Sequence, residues 1–371
     1  MKDVIVIGGG ILGVSVGYHL AASGASALLI DRRDEGRATD AGAGIITPGG
    51  DASSRNPWSR LVGEAEAYYP EFVQALRDNG VEETGYSVCG SLIVAVEEAE
   101  RTAFSEASAG VPEGDGKSSS DAVVIEEGRA QELFPALDTV VGAIYEPTGA
   151  RVDGRRLASA IEAAGVRRGL EVHHGSVERL EVAADRCGAV VVDGERVETD
   201  AVVVAGGAWS NAFGEQLGIG LPVGPMRGQI AHLDLGQTDT SEWTIVSGFR
   251  GHYLVPWDDH RVVVGATRET NAGYRVETTV EGMLEVLTEA IRVAPGLRGA
   301  RVKEFRVGLR PATSDGFPII GSIPKVPNVH VVTGHGPMGL HLGPYSGKVV
   351  ADAILGRGDD AFAVFGVERF I

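Results

Sequence analysis

The sequence predicts an α/β protein in which a parallel sheet is joined to an antiparallel sheet. A β-branched run, VIVI at residues 4–7, leads into the glycine-rich segment GGGILG and an apolar helical pattern. A second apolar strand, ALLI at residues 27–30, follows, and alternating strands and helices imply a parallel sheet. From residue 223 to 268 the pattern changes to the alternation of antiparallel strands. The 371-residue length accommodates two or three domains.

The N-terminal unit has the spacing of a Rossmann-like dinucleotide-binding fold. Gly8, Gly10 and Gly13 form the pattern G-x-G-x-x-G between strand and helix. The first glycine permits the tight turn, the second lets backbone approach a pyrophosphate, and the third lets the helix pack on the strand. The helix N-terminus presents amides and a positive dipole end to the phosphates. Asp31 ends the second strand, where a carboxylate accepts hydrogen bonds from ribose hydroxyls, and the adjacent Arg32 is either an adenosine contact or a solvated side chain.

Later segments favour FAD over a nicotinamide cofactor, a choice that the glycine triplet alone does not make. Residues 201–209, AVVVAGGAW, predict a strand running into a second glycine turn, which a second pass over the cofactor needs. The small side chains of residues 39–46, TDAGAGII, let backbone press against a flat ring. A strand at 329–332 leads into a glycine-rich loop and a helix from about Gly343, whose amides can serve an anionic ring edge. Each segment alone is equally consistent with an ordinary loop.

The intervening chain alternates helical and strand patterns. Helical spacing covers residues 58–78 and 157–164, and residues 88–96 predict a pair of strands. Residues 112–121, PEGDGKSSSD, have the composition of a loop. Short strands are predicted within residues 170–206, leading back to the second glycine turn.

Composition excludes several classes of function. The net charge of −18 argues against nucleic-acid binding and against adhesion to an anionic membrane through a basic patch. The two cysteines, Cys89 and Cys187, are too few for a disulfide framework or a metal cluster, so we expect no metal and a reducing, cytoplasmic compartment. No run of 18 apolar residues predicts a transmembrane helix, and the early strand-and-glycine motif argues against a signal peptide.

Seven motifs, taken in chain order, resemble the D-amino-acid-oxidase family of flavoproteins, in particular its glycine oxidase and bacterial D-amino acid dehydrogenase branches. They are GGGILG, LLID, TDAGAGII, RGQI, GHYLVPWDDHRVVVGAT, GLRPATSDGFPIIG and GHGPMGLHLGP. The resemblance covers essentially the whole chain, and the last four motifs together are its most specific part. The C-terminal GHG-x-x-G is nearer the dehydrogenase branch, because Pro337 stands where glycine oxidase has a substrate-site arginine.

The resemblance implies a Rossmann-like FAD-binding domain interleaved with an antiparallel-sheet, α+β substrate domain. The FAD-binding domain would take residues 1–83, 142–216 and 312–371, and the substrate-binding domain residues 84–141 and 217–311.

The resemblance also implies FAD as the cofactor. Relatives that attach flavin covalently use a cysteine near the matching arginine, and the segment Leu309-Arg310-Pro311 has none, so we expect non-covalent FAD. The cofactor contacts implied by the family pattern are Gly8, Gly10, Ile11, Leu12, Gly13, Asp31, Arg32, Thr39, Ala43, Gly44, Ile45, Val177, Ala205, Gly206, Trp209, Arg310, Gly336, Pro337, Met338, Gly339 and Leu340.

For the substrate, the resemblance points to Arg310 and Tyr253. Arg310 matches the family's carboxylate-binding arginine, whose planar fork suits two carboxylate oxygens, and Tyr253 matches a tyrosine that donates to the same group. A surface ion pair and a core tyrosine are the alternatives. His252 is expected on the opposite strand face from Tyr253. His335 could contact the ring edge or shape the backbone, and Arg227 could lie near the site or stabilise the sheet.

The function implied is FAD-dependent oxidation of a small amine-bearing carboxylate: a D-amino acid, glycine or an N-alkyl glycine. Hydride transfer to flavin would give an imine that hydrolyses to a 2-oxo acid, with the protein orienting the substrate and excluding water. A 2-hydroxy-acid dehydrogenase, which needs a base such as a histidine, and a non-catalytic flavin protein are the alternatives. Oxygen, a quinone or an electron-transfer protein could accept the electrons, and homo-oligomer formation is left open.

Overall fold

The computed structural model describes residues 1–116, 121–358 and 360–371. Residues 117–120 of the predicted 112–121 loop therefore lie outside the described residues. The helices are α1 Ile11–Ala22, α2 Ala38–Ala41, α3 Pro57–Asp78, α4 Arg101–Ala107, α5 Glu127–Leu133, α6 Gly154–Arg167, α7 Val280–Val293 and α8 Gly339–Ile354. The strands are β1 Lys2–Ile7, β2 Ala27–Asp31, β3 Ile45–Ile46, β4 Tyr86–Val88, β5 Ser91–Ala95, β6 Val123–Ile125, β7 Gly142–Glu146, β8 Ala150–Val152, β9 Glu171–His174, β10 Val177–Ala183, β11 Arg186–Val192, β12 Glu195–Val204, β13 Val223–Asp234, β14 Ile245–Gly248, β15 Tyr253–Trp257, β16 Arg261–Gly265, β17 Arg301–Thr313, β18 Ile319–Ile323 and β19 Val326–Thr333.

The first sheet has a parallel centre and contains the predicted N-terminal strand. Strands β9, β2, β1, β12 and β19 lie side by side in that order and all run parallel. Val4 and Val6 of β1 pack into the cluster formed with α1, α3, α6 and α8, whereas Ile5 and Ile7 pack into the cluster on the opposite face. Burial on both faces explains why residues 4–7 of this strand are all apolar.

The second sheet is long and mostly antiparallel. Its order is β17-β13-β16-β15-β14-β5-β7-β6, and β14 and β5 are the parallel pair within it. Strands β13 and β17 pair from Val223 opposite Thr313 to Asp234 opposite Arg301. Helices α5 and α7 pack on the sheet through Ala130, Val286 and other apolar residues. The antiparallel sheet predicted over residues 223–268 is therefore confirmed and is larger than the alternation showed.

The strand pair predicted at residues 88–96 is wrong in its pairing. Gly90 stands between β4 and β5 in the left-handed region, with φ +72°, and redirects the chain. As a result β4 joins a small sheet of order β3-β8-β4, while β5 joins the second large sheet between β14 and β7. A pattern of alternating residues cannot show which partner each strand takes.

Four further differences concern boundaries and elements. Helix α8 begins at Gly339, whereas the sequence predicted a start at about Gly343. Glycines and Pro344 lie in its first two turns, and their low helix propensity hides the start of the helix in the sequence pattern. Arg310 lies inside β17, which continues past Pro311 to Thr313 instead of ending before the proline. Strand β7 pairs with β5 and β6 of the second sheet, so the resemblance-implied boundary at residue 142 divides that sheet. Helix α7 was not predicted.

Within the described residues, no helix has both the length and the apolar character of a membrane span.

Candidate active site

A cavity of about 420 Å³ lies where the glycine loop of the first sheet meets β17 of the second. This volume is within the usual range of ligand sites in proteins. The cavity brings together the residues assigned from the sequence to cofactor and substrate, with two exceptions. Gly13 lies behind the loop, where a Cβ atom would be 1.8 Å from the carbonyl oxygen of Gly8. Met338 packs against the first-sheet core instead of lining the cavity.

The glycine loop leaves the N-terminus of α1 open to the cavity. Gly8 has φ +110°, and a Cβ atom there would lie 2.5 Å from the carbonyl oxygen of Ala205. Gly10 is the N-cap of α1 and, as a glycine, offers no capping side chain of its own. The amide of Ile11 donates to Oγ1 of Thr39 at 3.0 Å, which fixes the loop to α2. The loop therefore presents backbone amides and the positive end of the helix to an anionic group.

Asp31 stands at the end of β2, beside this loop. Its Oδ2 is 2.6 Å from Nη1 of Arg37, which also pairs with Asp40. A Cβ atom on Gly9 would lie 2.7 Å from the same carboxylate oxygen, so only glycine allows this close approach. Arg32 lines the cavity but pairs with the neighbouring Asp34. The carboxylate of Asp31 is thus largely buried and held at the position expected for a ribose contact.

The rest of the cofactor wall is built from small residues and a second helix end. Gly44 has φ +76°, and a Cβ atom there would lie 1.7 Å from the carbonyl oxygen of Val152. Helix α8 also begins at the cavity without a side-chain cap, next to Gly336 and Pro337. Two helix N-termini and glycines that lack room for a Cβ fit a dinucleotide that carries a flat ring. Neither cysteine lines the cavity.

Arg310 and Tyr253 meet on the second-sheet side of the cavity. Arg310 donates through Nη1 to the carbonyl oxygen of Thr267 at 3.0 Å, and its charge acts on the Tyr253 hydroxyl. Its guanidinium crosses Gly228 of the neighbouring strand, where a Cβ atom would lie 2.2 Å from Nη1. Burial lowers the pKa of the guanidinium, and the charges acting on it are those of Tyr253 and Arg268, with no carboxylate among them. Arg310 is therefore a half-buried cation without an anionic partner among the residues that the structure describes.

Burial raises the pKa of the Tyr253 hydroxyl, and the charges of Arg310 and Arg268 oppose that shift only in part. The hydroxyl is consequently protonated at neutral pH and has a proton to donate.

Of the two histidines and Arg227 considered from the sequence, His335 alone lines the cavity. The Nε2 atom of His335 is 3.0 Å from Oγ of Ser346. Burial lowers the pKa of His335 to about 4, so the ring is neutral at pH 7. His252 faces away from the cavity, with Nε2 3.2 Å from Glu285 of α7. Arg227 is buried in an ion pair with Glu269 and does not line the cavity, which favours the sheet-stabilising alternative.

Sequence reasoning missed three residues at the cavity. Gly228 was inside a recognised motif, but its role depends on the cross-strand register that brings Arg310 over it. Arg37 reaches Asp31 from a loop of no regular pattern. Arg268 lies three residues after the end of β16, is exposed and lines the cavity. No local spacing in the sequence distinguishes it from a surface arginine.

The chain matches the DAO family, described as FAD dependent oxidoreductase, over residues 3–353. It is 34% identical over 358 residues to the uncharacterized oxidoreductase YurR of Bacillus subtilis strain 168, covering 96% of each protein. Its structure is similar to that of iminodiacetate oxidase from Chelativorans sp. BNC1, with a TM-score of 0.88, 36% identity and 96% of both chains covered. Glycine oxidase from Geobacillus kaustophilus matches with a TM-score of 0.85 and 26% identity, over 100% of this chain and 99% of that one.

Proposed function

The chain belongs to the DAO family of FAD-dependent oxidoreductases, and from this premise we propose that it oxidises the C–N bond of a small amine-bearing carboxylate. Glycine, an N-substituted glycine and a D-amino acid are the candidate substrates. The α-hydrogen leaves as hydride and the amine loses a proton, and the resulting imine takes up water to give a 2-oxo acid and an amine or ammonia.

One observation carries the proposal: the half-buried guanidinium of Arg310, which has no anionic partner among the described residues, lies beside Tyr253 in the same cavity as the glycine loop. Partial removal of a charge from water without a partner is costly, and a substrate carboxylate would compensate it. The planar fork of arginine matches two carboxylate oxygens, and the Tyr253 hydroxyl adds a third donor. The names of the relatives support the substrate class, because glycine and iminodiacetate are both amines that carry a carboxylate.

The residues of this chain would hold the substrate and shape its surroundings. The glycine loop, Asp31 and the start of α8 would hold FAD, which when bound supplies a hydride acceptor. Arg310 and Tyr253 would fix the substrate carboxylate and thereby orient its α-carbon. His335, neutral and hydrogen-bonded to Ser346, would form part of the wall.

An anaerobic titration of the purified yellow protein tests the proposal. Glycine, N-methylglycine, iminodiacetate, D- and L-amino acids and 2-hydroxy acids are added in turn, and bleaching of the flavin absorbance is followed. Bleaching by an amine-bearing carboxylate is expected. Bleaching by 2-hydroxy acids alone, or by none of these compounds, would contradict the proposed substrate class.

The rate of recolouring after air is admitted identifies the electron acceptor. The names of the relatives favour oxygen, whereas Pro337 in the GHG-x-x-G loop favours a dehydrogenase that uses a quinone or an electron-transfer protein. Fast recolouring supports oxygen as the acceptor, and slow recolouring supports a quinone or an electron-transfer protein.

A further inference from the structure

A second arginine, Arg268, lies in the same cavity as the proposed carboxylate anchor. It follows the end of β16, and its Nη2 donates to the carbonyl oxygen of Gly251 at 2.8 Å. A Cβ atom on Gly251, which has φ +76°, would lie 3.2 Å from Nη1 of Arg268. Nη1 of Arg268 also lies 3.5 Å from the carbonyl oxygen of Ala266, so backbone holds the tip of the side chain. Arg268 is exposed and lines the cavity, and a guanidinium has five N–H donors, so donors remain for a ligand.

Arg268 has no ion-pair partner in the part of the chain that the structure describes. Its charge acts on Arg310 and Tyr253, so two cations share this side of the cavity without a carboxylate between them. Arg227, which lies across the same sheet, pairs with Glu269 instead. In a chain of net charge −18, carboxylates are plentiful, and their absence from this side of the cavity leaves a local positive field.

Resting on the proposed function, we propose that Arg268 binds a second anionic group of the substrate. The preferred substrates are then amines that carry two carboxylates, of which Arg310 and Tyr253 hold one and Arg268 holds the other. The amine lies between the two anchors in this arrangement. Two anchors also fix the orientation of the C–N bond more firmly than one anchor does.

Two matched compounds test the binding step without turnover. Diglycolate and methoxyacetate are the ether analogues of iminodiacetate and N-methylglycine, they lack the amine, and they differ only by one carboxylate. Their Kd values are measured on the FAD-loaded protein from the change in flavin absorbance and, independently, from the rise in Tm. We expect wild-type protein to bind diglycolate at least tenfold more tightly than methoxyacetate at low ionic strength.

Variants identify Arg268 as the source of that preference. Arg268→Met is expected to reduce the ratio of the two affinities at least tenfold, and to reduce equally the ratio of kcat/KM for iminodiacetate over N-methylglycine. Arg268→Lys keeps the charge but not the planar fork and should give an intermediate ratio. Arg275→Met makes the same charge change in an exposed residue outside the cavity, and both ratios should stay at the wild-type values.

Two results would overturn the inference. Equal affinity of the wild-type protein for both ether compounds would show that no second anchor exists. An equal loss for both compounds in Arg268→Met would show that Arg268 supports the site in general. The proposed function stands after either result if glycine or N-methylglycine still bleaches the flavin. If no amine-bearing carboxylate bleaches the flavin, both the proposed function and the inference about Arg268 are contradicted.

Discussion

At the scale of single residues, the site depends on the side chain of Arg310, which lies across a glycine of the neighbouring strand. Arg310 reaches the cavity because Gly228, on the neighbouring strand, leaves room for its guanidinium. The arginine is consequently positioned by the backbone of β13 as well as by its hydrogen bond to Thr267. The glycine therefore positions the proposed anchor.

Replacing Arg310 by methionine is expected to raise KM for a carboxylate substrate by orders of magnitude. Two hydrogen bonds to a charged group are lost, each worth about 1.5–3 kcal/mol. FAD content, measured from the absorbance of the purified variant, should stay at the wild-type level. Steady-state kinetics with the best substrate decide the question, and an unchanged KM would remove Arg310 from the site.

Gly228→Ala is expected to lower kcat/KM roughly 10- to 100-fold, because the new methyl group occupies the position of Nη1 and pushes the guanidinium aside. The tip of an arginine is flexible, so the variant should fold and retain FAD. Gly224→Ala is the matched control on the same strand, since a Cβ atom there meets nothing within 4 Å. Similar losses in both variants would indicate damage to the strand instead of displacement of Arg310.

The sequence was sufficient to find Arg310 and Tyr253, because each lies in a motif that resembles the family. It was not sufficient for Gly228, Arg37 or Arg268. Their functions arise from register, from a loop and from the meeting of two sheets, and none of these leaves a periodic pattern. Gly13, which the family pattern also places among the cofactor contacts, does not line the cavity, and its close approach to Gly8 agrees with the packing role that the motif gives its third glycine.

At the scale of elements, the cavity is organised by helices α1 and α8, which pack closely and both begin at its edge. A Cβ atom on Gly347 of α8 would lie 2.5 Å from Cβ of Ser15 and 2.9 Å from the amide nitrogen of Val16. The close approach of the two helices therefore depends on this glycine. The positions of β1, α1, α3 and α6 followed well from periodicity, whereas α7 was missed and the start of α8 was hidden by its glycines and proline.

Gly347→Ala is expected to destabilise the protein by about 1–3 kcal/mol, because backbone atoms of α1 must move. The two helix N-termini separate as a result, and the affinity for FAD should fall with the stability. Gly128→Ala, in helix α5 with open space around the position, should instead be neutral or stabilising by up to about 1 kcal/mol. Tm and the Kd for FAD are measured for both, and a Gly347 variant as stable as wild type would contradict the packing argument.

At the scale of the whole molecule, stability is linked to pH through buried histidines. Burial lowers the pKa of His232 to about 3, and of His335 to about 4, from a usual value of 6.5. Nδ1 of His232 is 2.6 Å from Nη1 of Arg261, which requires a neutral ring that accepts. Glu304, Arg306 and Arg155 are the other charges that act on it.

Lowering the pH from 7.5 to 5.0 should therefore reduce the free energy of unfolding. The unfolded chain binds protons at these histidines below pH 6.5 and the folded chain does not, so stability is lost as the pH falls. Each fully buried histidine contributes about 2 kcal/mol to this loss. Urea unfolding at pH 7.5 and at pH 5.0, with excess FAD, measures this loss in the free energy of unfolding. His232→Asn keeps an acceptor for Arg261, and it should reduce the pH dependence by about 2 kcal/mol; an unchanged dependence would exclude His232.

The interleaving of the two sheets has a consequence for how the protein is made. Strands β18 and β19 come from residues 319–333, yet they complete a sheet that begins at residue 2, and α8, which starts at Gly339, completes the cavity wall. During synthesis the cofactor wall therefore stays open until this segment has left the ribosome. Flavin can be retained only after that point, so a yellow preparation consists of chains that contain residues 319–339.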